Sequence, residues 1–189
     1  SELDKARAII ACYMDIVVNF GLLNYKNKEI ILNDIEQMSN AGKHRGPESS
    51  NLIFSVNNKD IAFGFHRLAI NGLSAVSDQP FDIDNCVLIC NGEIYNYKKL
   101  YSDLNIIPKT NSDCEVIIYL YRKFGIENTV QMLDGVFAFI LYDLRLNKLY
   151  AARDPFGVRP MFTMTDNSNK SIGFSSELKQ LNMFSNNVE

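Results

Sequence analysis

The stretch GVFAFILYDLRLNKLYAARD, residues 135–154, constrains this chain more than any other. Two apolar runs are joined by a short polar turn containing Asn147. A connection that short returns the chain as an antiparallel neighbour. A second pair repeats the pattern: NLIFSV, the polar turn NNKD, then IAFGFHRLAI. CVLICNGEIY reads as a further buried strand and IVVNFGLL as another near the start, with short strands around 161–164 and 172–175. Helical spacing puts Ile31, Ile35 and Met38 near one face of a helix, which Gly42 and the pair Gly46-Pro47 end. NYKKLYSDL reads as a short helix capped by Asn96. The clearest helix is NSDCEVIIYLYRKFG. Ser112 or Asp113 caps it, Val116, Ile117, Leu120 and Tyr121 form its apolar face, and Gly125 stops it. Strand-rich halves flanked by helices, with hairpins dominating, predict an α+β layered fold with largely antiparallel sheets.

Composition narrows the function. A net charge of -3 in 189 residues argues against a general nucleic-acid binder, which needs a basic face. No apolar run approaches the roughly 20 residues that span a bilayer. The first residues, SELDKARAIIACYMDIVV, carry Glu2 and Asp4 where a signal peptide carries positive charge, so they read as an extension or expression remnant with no targeting role. The expected organisation is an extension over 1–13 and one domain over 14–189. The four cysteines, Cys12, Cys86, Cys90 and Cys114, form no C-x-x-C pair. Free thiols in a reducing cytosol are the expectation, with Cys86 and Cys90 as buried small hydrophobes.

Few residues carry chemistry by pattern alone. Asn91-Gly92 ends an apolar strand, and two readings fit it. One is a plain β-turn. The other is an oxyanion hole, in which an amide side chain and a closely approachable backbone both donate to one oxygen. Glu93 is a solvated turn residue or an acceptor for a ligand ammonium. Arg67, among apolar neighbours, forms an internal ion pair or grips a ligand carboxylate with its fork. His66 reads as a satisfied structural histidine. With His44 the only other, a Ser-His-Asp or Cys-His site is poorly supplied. Metal ligation is unsupported, since no His/Cys cluster has ligand spacing, and Gly46, Gly157 and Gly173 form no phosphate-binding fingerprint, so no cofactor is expected.

Taken together, HRGPE, FGFHRLAI, QPF, CNGEIYNYKKL, NSDCEVIIYLY, MLDGVFAFILYD, ARDPFGVRPMF and FSSELKQL occur in the order seen in the glutaminase domain of asparagine synthetase. The chain resembles that class II glutamine amidotransferase domain from about Ile16 to Leu181. The resemblance implies the N-terminal-nucleophile hydrolase fold, a four-layer αββα sandwich of two mainly antiparallel sheets. It implies that Arg67 grips the α-carboxylate of L-glutamine, that Leu68 and Ile70 line the pocket, and that Glu93 and Asp113 accept the α-ammonium. Asn91, through its side chain, and Gly92, through its N–H, would hold the oxyanion. It also implies a partner, a synthetase domain that uses the released ammonia and is not in this sequence. Glu48 in HRGPE stands where the family usually has aspartate.

The resemblance implies a departure as well. The family starts its mature chain Cys-Gly-Ile, and the terminal thiol attacks the amide while its own α-amine, with a pKa of about 8, takes the proton. Aligned without a gap on IVVNFG, that cysteine falls on Met14 and its glycine on Asp15. A thioether forms no thiolate, and the Met14 nitrogen is an amide. Asp15 adds negative charge beside the oxyanion. The expectation is a glutamine-binding domain without its nucleophile. The alternatives are an active amidotransferase using Cys12 after removal of a propeptide, a structural scaffold, and an artefactual extension replacing a native Met-Cys-Gly-Ile start. Cys12 lies two residues upstream, on the same strand face but about 7 Å away.

Overall fold

The computed structural model describes residues 17–23, 32–54, 61–67, 77–110, 112–166 and 171–181. In chain order the first elements are β1 (Val17–Leu23), α1 (Leu32–Asn40), β2 (Ser49–Phe54), β3 (Ile61–Arg67), β4 (Phe81–Ile83) and β5 (Cys86–Ile94). Then follow α2 (Tyr97–Leu104), α3 (Val116–Met132), β6 (Gly135–Asp143), β7 (Lys148–Arg153), β8 (Phe162–Asp166) and β9 (Ser171–Ser175). They fall into two compact units, one within Ala69–Arg159 and one within Ile16–Leu68 and Pro160–Glu189. Every ladder between these strands is antiparallel, so the α+β class with antiparallel sheets holds.

The unit within Ile16–Leu68 and Pro160–Glu189 holds a five-stranded sheet in the order β2-β3-β1-β9-β8. Helix α1 buries Ile35 and Met38 with Ala62, Met164 and Leu181, as the helical spacing predicts. Ile31 and the NNKD turn lie outside the described residues. All seven residues of β3 are buried. The HRGPE loop presses on the end of this strand. A Cβ on Gly46 would sit 2.5 Å from the His66 carbonyl carbon and 2.6 Å from the Arg67 nitrogen, so no larger residue fits without moving the backbone. Pro47 bridges to Arg67, and the Glu48 N–H donates to the Arg67 carbonyl at 3.1 Å.

The unit within Ala69–Arg159 holds a four-stranded sheet in the order β4-β5-β6-β7. Cys86, Leu88, Cys90 and Ile94 of β5 join Phe137, Phe139 and Leu141 of β6 in one core with the first half of α3. Cys86 and Cys90 are fully buried, as expected of small hydrophobes. Burial, and then the nearby Asp143, push the Cys86 thiol up to about 11, so it stays protonated at neutral pH. The β6–β7 hairpin turns where expected, with Asn147 in the left-handed region at φ 54°.

Two local expectations are corrected. Asn96 stands at the N-cap position of α2 but makes no capping bond. Its amide reaches across the chain instead, donating to the Met132 carbonyl at 2.9 Å and accepting from the Asp134 N–H at 3.2 Å. The start of α3 is not amphipathic: Val116 through Tyr121 are all buried, because this turn runs through the core. Gly125, at φ 77° and ψ 170°, ends the first helical run of α3 as expected, and a second run continues from it to Met132. A glycine at positive φ there turns the chain between the two helical runs.

Candidate functional site

The candidate site in the Ala69–Arg159 unit is built on the end of β5. Side chains alternate along a strand, so with Cys90 and Ile94 facing the core, Asn91 and Glu93 share the opposite face. Asn91 is buried at 5% exposure and Glu93 is half-buried. The residue across from Asn91 on β6 is Ala138, whose small side chain leaves the amide room.

Between them, Gly92 is dictated by its surroundings. It lies opposite Phe137, and a Cβ there would meet the Val136 carbonyl oxygen at 2.2 Å and the Phe137 Cα at 2.5 Å. Its φ of 157° is about 60° from the −140° of a regular antiparallel strand. A turned peptide and a side chain reduced to hydrogen thus coincide at one point. The plain hairpin-turn reading of Asn91-Gly92 is set aside, because both residues lie within β5 and pair with β6 in unbroken register.

The chain then returns to this strand end. A 3-10 turn over Asp113–Glu115 precedes α3, and Ser112 caps it by accepting from the Cys114 N–H at 3.3 Å. Asp113 is therefore not the capping residue. Its Oδ2 accepts the Ile94 N–H at 2.5 Å, and the Cys114 thiol donates to the Gly92 carbonyl at 3.7 Å. Asp113 is thereby brought together with Gly92, Glu93 and Ile94.

Two further carboxylates organise the loops around this end, and neither was singled out in the sequence. Glu115 is fully buried and accepts four hydrogen bonds: Lys109 N–H at 2.7 Å, Thr110 N–H at 2.6 Å, Thr110 Oγ1 at 2.5 Å and Tyr119 OH at 2.7 Å. A charged acceptor with four donors ties the loop before Ser112 to the helix. Asp154, 2% exposed, accepts the N–H groups of Phe156 at 3.0 Å, Val158 at 3.1 Å, Arg159 at 3.3 Å and Phe137 at 3.4 Å. It folds the DPFGVR loop and holds the β6 residue that faces Gly92. The Asp-Pro pair followed by glycine is the sequence signal for such a loop.

Arg67 lies in the other unit. It is the last residue of β3, 8% exposed, with its backbone gripped by the HRGPE loop. His66 beside it is the structural histidine expected. Its Nε2 meets the Ser39 carbonyl at 2.6 Å, which requires Nε2 to carry the hydrogen, and its Nδ1 then accepts from the Ser50 hydroxyl at 2.8 Å. Burial first, with the Lys43 charge adding to it, holds His66 below its ordinary value of 6.5 against the raising effect of the Ser39 bond. Cys12, Met14, Asp15, Leu68 and Ile70 lie outside the described residues. Among the described residues no group of three or more His, Cys, Asp or Glu side chains is arranged to hold a metal ion, and no helix is long and apolar enough to cross a membrane.

Comparison with known proteins gives this geometry a family. The model of the glutamine amidotransferase domain matches residues 17–188. The chain is 39% identical over 160 residues to a probable glutamine-hydrolyzing asparagine synthetase of Acanthamoeba polyphaga mimivirus, covering 84% of this chain and 28% of that protein. It is 35% identical over 185 residues to a putative glutamine-hydrolyzing asparagine synthetase of Methanocaldococcus jannaschii, covering 89% and 34%. With the asparagine synthetase of Gallus gallus the figures are 42% over 144 residues, 73% and 25%. The chain thus spans between a quarter and about a third of the length of these relatives. The match across nearly all of β1 to the C-terminal end settles what kind of domain carries the braced strand end: the chain belongs to the glutamine amidotransferase domain family.

Proposed function

We propose that this is an asparagine-synthetase-like glutaminase domain that binds L-glutamine and has lost the nucleophile needed to hydrolyse it. The observation that carries the binding reading is the end of β5, where Asn91, Gly92 and Glu93 are braced by Asp113 and Cys114. An amide donor and a backbone N–H side by side suit the carbonyl oxygen of a side-chain amide. Glu93 and Asp113 supply negative charge for an α-ammonium, and Arg67 supplies a fork for an α-carboxylate. None of these groups makes or breaks a bond, so binding survives without the nucleophile.

Loss of hydrolysis rests on Met14. On the gapless alignment it takes the position of the attacking cysteine, and whatever precedes Ser1, its nitrogen is a peptide amide. Neither thiolate nor amine base is present. A second reading, an active amidotransferase that releases ammonia for asparagine synthesis, is favoured by Cys12 alone. That thiol lies two residues before Met14 in the sequence, and cleavage before it would expose a thiol and an amine together. An intact-mass measurement separates the two.

The test is ammonia or glutamate release over hours, with L-glutamine titration alongside. The expected result is no turnover, with binding near millimolar, about 4 kcal/mol, that Arg67→Ala abolishes. Turnover in the ordinary enzyme range of about 1–10³ per second refutes the loss of the nucleophile. Absence of binding to the parent chain refutes the pocket and leaves a scaffold.

A further inference from the structure

Strand β4 is short, and β5 outruns it. Their ladder covers Phe81 against Leu88 through Ile83 against Cys86. Extending that register by two residues brings Gln79 opposite Cys90, but the intervening Pro80 has no N–H to continue a ladder. The side chain of Gln79 does what the backbone cannot. Its Nε2 donates to the Cys90 carbonyl at 3.0 Å, and its Oε1 accepts the Cys90 N–H at 2.5 Å. The planar carboxamide presents one donor and one acceptor, as a neighbouring residue of a strand does in a hydrogen-bonded pair. Both partners are buried, Gln79 at 5% exposure and Cys90 at 0%. Leaving such groups unmatched is costly, so the clamp holds the backbone in one position.

The position it holds is the residue before Asn91. Four residues on, the Ile94 N–H is held by Asp113. Asn91 and Gly92 therefore sit between two places where a side chain replaces a strand. We propose that Gln79 is a positioning residue for the amide-binding end of β5: by clamping Cys90 it fixes the direction of the Asn91 side chain and the Gly92 N–H toward the terminal amide of a bound amino acid. The inference rests on the reading that Asn91 and Gly92 receive the glutamine side-chain amide, and it adds a residue that touches no ligand.

The experiment compares L-glutamine with L-norvaline, which shares the α-amino and α-carboxylate groups and lacks the terminal amide. The full chain is titrated with each, as parent and as Gln79→Met. The parent is expected to prefer glutamine by tenfold or more. Gln79→Met should lose most of that preference while norvaline affinity changes less than twofold. Exchange of the Asn91 side-chain amide hydrogens, followed by NMR without ligand, should accelerate at least fivefold in the same variant. Gln79→Glu keeps an acceptor for the Cys90 N–H, should fall between the two, and carries the comparison if Gln79→Met does not fold. A parent with no preference overturns the Asn91–Gly92 reading, and the inference with it. A parent that prefers glutamine beside a variant that prefers it equally overturns the role of Gln79 alone. Equal weakening of both ligands assigns Gln79 to stability and also overturns the positioning role.

Discussion

Replacing Gly92 by alanine tests whether close approach dictates the strand end. The added Cβ would meet the Val136 carbonyl oxygen at 2.2 Å and the Phe137 Cα at 2.5 Å, and both are backbone atoms of the next strand. No rotamer change relieves such a contact, so the overpacking cost falls toward the upper part of the usual range of about 1–3 kcal/mol. Holding a non-glycine residue at φ 157° adds strain of about 1–3 kcal/mol. The expected total is about 3–5 kcal/mol, a large share of the roughly 5–15 kcal/mol that keeps a domain folded. Gly125 provides the internal control. It too has positive φ, at 77°, but a Cβ there meets nothing within 4 Å. Gly125→Ala should therefore carry the strain alone, about 1–3 kcal/mol. In urea unfolding, with a slope of about 2 kcal/mol per molar, the midpoint should drop by about 2 M for Gly92→Ala and by about 1 M for Gly125→Ala. If Gly125→Ala costs as much as Gly92→Ala at matched slopes, the contact with β6 is not what requires glycine at 92.

The remaining expectations concern buried charge and repair. His66 titrates lower in the folded chain than its ordinary 6.5, so below about pH 6.5 the unfolded chain binds the proton first and stability falls with pH. The urea midpoint of the parent should drop between pH 7 and 5.5, and His66→Gln should remove that part of the slope; an unchanged slope contradicts the neutral tautomer. Glu115→Gln puts an N–H where four donors point, and should cost about 2–3 kcal/mol in thermal or urea unfolding; a neutral effect would show that the charge is not what orders the loop. Removing residues 1–13 and making Met14→Cys with Asp15→Gly should restore glutamine hydrolysis, measured as ammonia release. Met14→Cys in the full chain should not, and activity there refutes the need for a free amine.

What could be read from the sequence follows from what is periodic in it. The β6–β7 hairpin, the buried Cys86 and Cys90 and the inner face of α1 each repeat an apolar pattern over several residues. Asn91, Gly92, Glu93 and Asp113 were reachable because they belong to ordered motifs, and the fold brings them together. The braces were not legible. Gln79 reaches Cys90, Asp113 reaches Ile94, and Asp154 reaches Phe137, each by a side chain bonded to backbone at a distance in sequence that no period marks. Asn96 misled for a related reason: its amide has a choice of partners, and the end of α3 offers better ones than its own helix. Gly125 is legible as a stop, because a glycine at positive φ ends the first helical run, but nothing periodic in the sequence marks the second run that follows it.

The placing of β1 carries a consequence for how the chain closes during synthesis. β1 is the middle strand of its sheet, with β3 on one side and β9 on the other. Its first ladder joins residues 38 to 50 apart, but its second joins Phe20 to Ser175, roughly 150 apart, so closure of that second edge is costly and late. The sheet of β4 to β7 is complete once residue 153 has emerged: two of its ladders are hairpins, and the third, β5 with β6, joins residues 41 to 57 apart. The inner segment can therefore assemble while one edge of β1 still waits for its partner, and the strand that leads the sheet in sequence is the last to be enclosed.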